Sequence, residues 1–279
     1  MMKSTENLVV LITGATDGIG RGVAEKFAAM GSTVLLHGRS AARLADTEAA
    51  IKSKINNARL ETFIADLSSL DDVRRLASDI SGQNDGLDIL INNAGLGRGP
   101  RGNQQREECS DGHELRFQVN HLAPFLLTHI LLPLLRKNAP GRVVNVASAS
   151  QDAIDFGDVM LERSYDGTRA YSQSKLAMVM ATIEWARRLN PNEMTVNALH
   201  PGSLLDTKLV REAWGRASGP IEIGIESEYF LATSPELTGT SGQYFDEKDV
   251  SKAHPQAYEE SARKRLWQLS ETLTGITVD

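Results

Sequence analysis

The chain has 279 residues, 41% of them hydrophobic, with 23 glycines and 9 prolines, which is enough to bury a large core in one α/β domain. A net charge of −6 at pH 7 and a pI near 5.6, with no long basic run, remove the electrostatic case for a nucleic-acid partner. The single cysteine, Cys109, excludes an intrachain disulfide framework and fits a reducing compartment.

The opening "MMKSTEN" runs almost directly into an apolar segment and leaves no room for a charged, apolar and cleavable leader. "LVVLITG" (8–14) is short, β-branched and closed by glycine, which reads as a buried strand. A helix follows over "GIGRGVAEKFAAMG", then a strand "STVLLHG" and a helix "SAARLADTEAAIKSKI" with Ser40 as its N-cap. "LETFIAD" and "LDILINN" read as the third and fourth strands, separated by the helix "SLDDVRRLASDI". One long helix is expected around "DGHELRFQVNHLAPFLLTHILLPLLRK", then a strand "GRVVNVAS", a helix carrying "YSQSK" and a strand "MTVNALH". The apolar run "HLAPFLLTHILLPLL" is shorter than the ~20 residues that span a bilayer, so a cytoplasmic protein without a membrane anchor is expected.

Strands alternating with helices imply a doubly wound parallel sheet with helices on both faces, here in one domain over residues 1–279. Two segments break the rhythm. Residues 95–112 are polar and glycine-rich, either a solvated loop or a functional one. Residues 201–220 follow a strand end; their apolar side chains Leu204, Leu205, Leu209 and Trp214 read either as a cover for a hydrophobic substrate near 203–220 or as core packing.

At the first strand-to-helix turn stands "TGATDGIG": Thr13, Gly14, Ala15, Thr16, Asp17, Gly18, Ile19, Gly20. Glycines there permit a tight turn and close approach of a pyrophosphate, and the helix start offers free N–H groups and a positive dipole end. The end of the second strand decides which nucleotide fits. An acid there binds a ribose 2′-hydroxyl, whereas an arginine accommodates a 2′-phosphate. Here Gly38 stands in the acid's place and Arg39 follows, which favours NADP(H), with NAD(H) as the alternative. Asp17 is either a charge unfavourable to that phosphate or a helix cap. Arg43 reads as a solvated helix residue, with assistance to Arg39 as the alternative.

"YSQSK" puts Tyr171 and Lys175 four positions apart, on one face of a helix. A free phenol titrates near ~10, and a neighbouring ammonium favours the phenolate, so such a pair suits proton exchange with a carbonyl or alcohol oxygen. His37, His121 and His200 have no metal-ligand partner at useful spacing, so no metal is expected and the three read as structural.

The threonine-led G-x-x-x-G-x-G spacing resembles the short-chain dehydrogenase/reductase family, and the likeness extends from Leu8 to Phe245. It is carried further by "NNAG" (92–95), Asn120, Ser148, Tyr171, Lys175 and "HPG" (200–202). "FQVNHLAPFLLT", "IDFGDVMLERSYDGTRAYSQSKLA" and "SGQYF" resemble its retinol-dehydrogenase-like branch. The resemblance implies a Rossmann-type oxidoreductase with Tyr171 as acid/base and Ser148 orienting the substrate oxygen. Lys175 would hold the nicotinamide ribose, and Asn120 would place a relay water. It also implies cofactor contacts from Asp66 and Leu67, from Asn93, Ala94 and Gly95, from Pro201 and Gly202, and from Thr207. Asp66 has the alternative of capping the next helix. The expected substrate is a small carbonyl or alcohol, lipophilic rather than charged, although Arg98 and Arg101 leave room for an acidic group. Family habit adds a homodimer through the long fifth and sixth helices. Besides NAD-dependent alcohol oxidation, the rival reading is a nicotinamide-binding redox sensor without turnover.

Overall fold

The computed structural model describes residues 4–99 and 105–278. Eight strands form one sheet in the order β3-β2-β1-β4-β5-β6-β7-β8. They are β1 (Val9–Ile12), β2 (Thr33–Gly38), β3 (Arg59–Ile64), β4 (Ile89–Asn92), β5 (Gly141–Val146), β6 (Met194–His200), β7 (Tyr244–Asp246) and β8 (Asp249–Ser251). All neighbours are parallel except β7 and β8, which form a hairpin. β4 and β5 are buried along their whole length, as expected of strands covered by helices on both faces. The order reverses between β1 and β4, and in such sheets the crevice at that reversal is where ligands bind.

The helices are α1 (Gly18–Ala29), α2 (Ala41–Lys54), α3 (Leu70–Gln83), α4 (Leu115–Phe117), α5 (Ala123–Lys137), α6 (Gly167–Arg188), α7 (Lys208–Trp214), α8 (Glu222–Thr233) and α9 (Glu260–Thr274). Their starts are set by local chemistry. Asp17, Ser40, Ser69, Asp166 and Thr207 each accept a backbone N–H of the first turn of α1, α2, α3, α6 and α7. The N-cap of α3 is therefore Ser69, not Asp66, which instead accepts the N–H and hydroxyl of Ser68.

The single long helix expected around residues 111–137 is broken. A π-turn over Gln118–Leu122 separates α4 from α5. Together Leu115–Lys137 is long and apolar enough to cross a membrane, but most of it is buried inside the fold. Its apolarity is that of a core helix, with Leu126, Leu131 and Leu135 fully enclosed.

β7, β8, α8 and α9 lie beyond the last strand that the sequence reading assigned. α9 packs against α6, where Trp267 meets Trp185 edge-on at 4.7 Å and Phe125 at 4.9 Å between ring centroids. Every residue from Ala170 to Thr182 of α6 is buried within one chain. Trp267→Ala removes the keystone of the aromatic cluster and should destabilise the fold by about 3–5 kcal/mol, read as a lower midpoint in urea unfolding.

Candidate active site

The glycine loop connects β1 to α1, and its shape is dictated by what lies behind it. Gly14 and Gly18 take φ of 68° and 54°, the left-handed region that glycine adopts without strain. A Cβ on Gly20 would stand 2.3 Å from the Asn93 amide nitrogen and 2.6 Å from the Gly14 carbonyl oxygen. Asn93 uses that amide to donate to the carbonyls of Thr13 at 2.8 Å and Gly14 at 3.3 Å. Thr13 returns the link, its hydroxyl accepting the Ala94 N–H at 3.0 Å. The loop after β1 and the "NNAG" turn after β4 are thus one hydrogen-bonded unit at the reversal of strand order.

His37 extends this unit to β3. Its Nδ1 accepts the Gly14 N–H at 3.3 Å, which leaves Nε2 to donate to the Ala65 carbonyl at 3.2 Å. Burial holds its pKa down to about 4, so the ring is neutral and keeps this tautomer.

At the adenine end, Gly38 is buried, and a Cβ there would lie 2.7 Å from the Thr16 methyl. Arg39 is exposed and makes no hydrogen bond or ion pair among the described residues. Arg43 is not merely a solvated helix residue. Its Nη2 reaches across 26 positions to the Asp17 carboxylate at 2.9 Å and approaches the Thr16 carbonyl at 3.5 Å. Asp17 both caps α1, through Gly18 N–H at 2.8 Å, and has its charge balanced by Arg43.

On the other side of the crevice, Ser148 lies just past β5, and Tyr171 and Lys175 lie on α6, all three buried. Ser148 hydrogen-bonds the Tyr171 side chain. Lys175 Nζ donates to the Val146 carbonyl at 2.7 Å and sits 5.9 Å from the centre of the Tyr171 ring. Gly95 lies between two of the expected residues: a Cβ there would be 3.2 Å from Asn120 Oδ1 and 3.3 Å from Lys175 Nζ. The Asn120 side chain is fully engaged, accepting Leu96 N–H at 2.7 Å and donating to the Leu96 carbonyl at 3.0 Å and Ser174 Oγ at 2.9 Å. It ties the π-turn to α6 and to the segment after β4.

Burial raises the Tyr171 phenol from its ordinary value by stripping water from the phenolate, and the Ser148 hydrogen bond offsets only part of this. Lys175 is lowered to about 8 by the same desolvation.

Several residues were not singled out from sequence. The Ser148 carbonyl is gripped by Tyr244 Oη at 3.1 Å, from 96 positions away, and by Gln151 Nε2 at 2.8 Å, three residues on. Ser174 relays between Asn120 and the Tyr171 carbonyl, to which its hydroxyl donates at 2.7 Å. The Tyr244 and Asn120 partners come from other elements, so nothing short-range in the sequence marks those two contacts.

The mouth is framed by α7. Thr207 caps α7, and its methyl would lie 3.6 Å from a Cβ on Gly18, which puts it over the glycine loop. Pro201 and Gly202 lead from β6 into this segment, and a Cβ on Gly202 would lie 3.1 Å from the Ile223 methyl. Leu209 presses on Gly97, and Arg98 Nη2 donates to the Ala213 carbonyl at the end of α7 at 2.5 Å. Arg98 is therefore spent partly on capping α7, and Arg101 lies outside the described residues, as does the side chain of Trp214. Leu205 is buried against Gly202, Gly219 and Gly224 and belongs to the core. A cleft of about 550 Å³ opens between Asp17 and Gly18 on one side and Thr207 and Arg211 on the other.

This geometry defines a Rossmann-type sheet whose dinucleotide crevice faces a serine, a tyrosine and a lysine. Comparison with known proteins is specific: the short chain dehydrogenase family model matches residues 8–216, and the chain belongs to that family of oxidoreductases, on its retinol-dehydrogenase-like side. It is 36% identical to retinol dehydrogenase 14 of Homo sapiens, covering 96% of this chain and 86% of the relative. It is 37% identical to retinol dehydrogenase 13 of Homo sapiens, covering 96% and 84%. Among solved structures, an uncharacterized protein from Mycobacterium Paratuberculosis aligns over 100% of both chains with a TM-score of 0.76 and 28% identity. A short chain dehydrogenase from Escherichia coli CFT073 complexed with NADPH aligns over 88% of this chain and 100% of its own, with a TM-score of 0.71 and 27% identity.

The buried histidines set an acid limit on the fold. His37 and His121 have pKa values lowered to about 4 and about 3, below the 6.5 of the unfolded chain. The unfolded state therefore binds more protons below pH 6.5, and stability present above that pH is lost as pH falls toward 4. Urea unfolding at pH 7 and pH 5 should differ by about 2 kcal/mol for each histidine, with the lower stability at pH 5.

Proposed function

We propose that the chain interconverts a carbonyl and an alcohol with NADP(H), acting on a lipophilic substrate of small or medium size. The observation that carries the reading is the meeting of Ser148, Tyr171 and Lys175 beside Gly95, at the strand ends that also hold the glycine loop.

The residues present fit a dinucleotide. The start of α1 presents its positive dipole end behind a loop that has no room for side chains at Gly14 and Gly20. Thr13, Thr16, Gly18, Ile19, Asn93, Ala94, Pro201 and Thr207 line the path, and Lys175 is placed to hold the nicotinamide ribose. When bound, the nicotinamide supplies or takes up the hydride. Arg39 is an exposed, unpaired guanidinium next to a position too tight for an acidic side chain, an arrangement that suits a 2′-phosphate. With Arg43 on Asp17, the local negative charge that would oppose that phosphate is balanced. The NADPH complex of a structural relative supports the same preference.

Within the protein, the chemistry is proton handling and orientation. The Tyr171 phenol, protonated at neutral pH as an ordinary phenol is, donates to a carbonyl oxygen during reduction. Ser148, held from behind by Tyr244 and Gln151, hydrogen-bonds the same oxygen and fixes its direction. The Lys175 ammonium stabilises negative charge left on the phenol. Asn120 contributes by fixing the π-turn and the Leu96 backbone, which keeps the lysine's surroundings in place. Leu209 over Gly97 gives the mouth an apolar side, in keeping with the retinol dehydrogenases to which the chain is similar.

Titration followed by reduced-nicotinamide fluorescence should show tighter binding of NADPH than NADH, and Arg39→Ala should weaken NADPH by about tenfold to a hundredfold while sparing NADH. Equal losses for both would overturn the phosphate assignment. Tyr171→Phe should keep NADPH affinity within a factor of about two and lower turnover of a carbonyl substrate by about 10²–10⁴-fold. Retained turnover would remove Tyr171 as proton donor.

A further inference from the structure

Glu228 is the buried acid that no hydrogen bond explains. It lies on α8 with 0% of its surface exposed, and both carboxyl oxygens lack a hydrogen-bond partner. An acid in that setting is costly unless it is neutral or paired with a charge. Its surroundings identify the charge. A helical side chain leans toward the preceding turn, which for Glu228 is the turn of Gly224. Gly224 has no side chain because a Cβ there would stand 2.7 Å from Ile19 and 2.8 Å from Leu205, residues of the glycine loop and of the segment after β6. Glu228 therefore sits directly beneath the floor of the crevice.

Val146 forms the partition on the other side. Its side chain belongs to the apolar cluster that includes Leu231 and Ala232 of α8, while its carbonyl accepts Lys175 Nζ at 2.7 Å. The lysine ammonium and the Glu228 carboxyl lie on either side of the end of β5 and feel each other's charge.

We propose that Glu228 is the buried counter-charge of Lys175, a positioning residue that acts on the reaction through the lysine ammonium. The inference rests on the role proposed above for Lys175. Other ionisable groups around α8 are committed elsewhere. On α1, Lys26 pairs with Glu226 and Arg21 with Glu25. Arg142 of β5 donates to the carbonyls of Leu231 and Ser234. β4 carries no ionisable side chain, and His200 of β6 bonds Ser203 and feels Asp246 and Lys175. Burial raises Glu228 to about 8, and the lysine is the one charge that opposes the rise. Burial likewise lowers Lys175, and Glu228 is the group that opposes the fall. An ionised Glu228 holds the proton on Lys175, so the lysine stays charged further into the alkaline range.

The test uses the whole chain without added nucleotide. Lysine Nζ is labelled with 15N, the Lys175 signal is assigned by Lys175→Arg, and its titration is followed in wild type and in Glu228→Gln. The variant should bring the Lys175 titration down by about one pH unit, and Glu228→Leu should do the same. Coincident titrations in all three proteins overturn the proposal. Where turnover with NADPH is measurable, the alkaline limb of kcat/KM should move in the same direction in both variants, with NADPH affinity at pH 6.5 unchanged. A shift in the Lys175 titration in a protein that turns over no carbonyl would refute the proposed function and leave the Glu228–Lys175 pairing standing.

Discussion

The side-chain amide of Asn93 donates to two carbonyls of the glycine loop and occupies the space where Gly14 and Gly20 would otherwise carry Cβ atoms. That contact joins the ends of β1 and β4, the two strands between which the sheet reverses its order. Much of the crevice takes its position from this junction. His37 braces the loop from β2, Gly95 continues the turn after β4, and Asn120 and Lys175 flank Gly95. The loop needs glycine for the left-handed φ at positions 14 and 18, and at position 20 because its neighbour is already there.

The catalytic side of the crevice illustrates how a helix can be almost wholly buried and still carry polar residues. α6 buries Tyr171, Ser172, Gln173, Ser174 and Lys175 in sequence. The four after Tyr171 are partnered: Ser172 with Ser150, Gln173 with Val159 and Asp155, Ser174 with Asn120, Lys175 with Val146. Buried polar groups are tolerated where such bonds are made. These bonds reach the segment between β5 and α6, the π-turn and the strand end, so one helix fixes the geometry of three surrounding pieces. Glu228 on α8 is buried with neither carboxyl oxygen hydrogen-bonded among the described residues, which is why its electrostatic surroundings matter.

The alternation of strands and helices through β6 was legible because the buried strands are short apolar runs separated by segments of helical apolar spacing, as with the helix that starts at Ser40. The break in the helix around Asn120 was not, since a π-turn inserts one residue without disturbing the apolar pattern on either side. α8 and α9 escaped notice for a related reason: "EIGIESEYFLAT" and "ESARKRLWQLSETLT" mix polar and apolar residues, and their burial depends on partners such as Trp185 that lie far off in the chain. At the site, the glycine loop and "YSQSK" were readable as local patterns. Arg43 was misjudged because an exposed helix position gives no hint of a carboxylate 26 residues earlier. Sequence spacing reveals an ammonium near Tyr171 but not the burial that opposes its effect on the phenol.

The contact between Gly38 and Thr16 ties together two positions that sequence inspection treats as independent. An acidic residue can enter at 38 only if the Thr16 methyl, 2.7 Å from the new Cβ, gives way. A side chain at 38 therefore enters only together with an adjustment at 16: the threonine must turn or be replaced by something smaller. Drift at the two positions is coupled, although they stand on different elements and far apart in the chain.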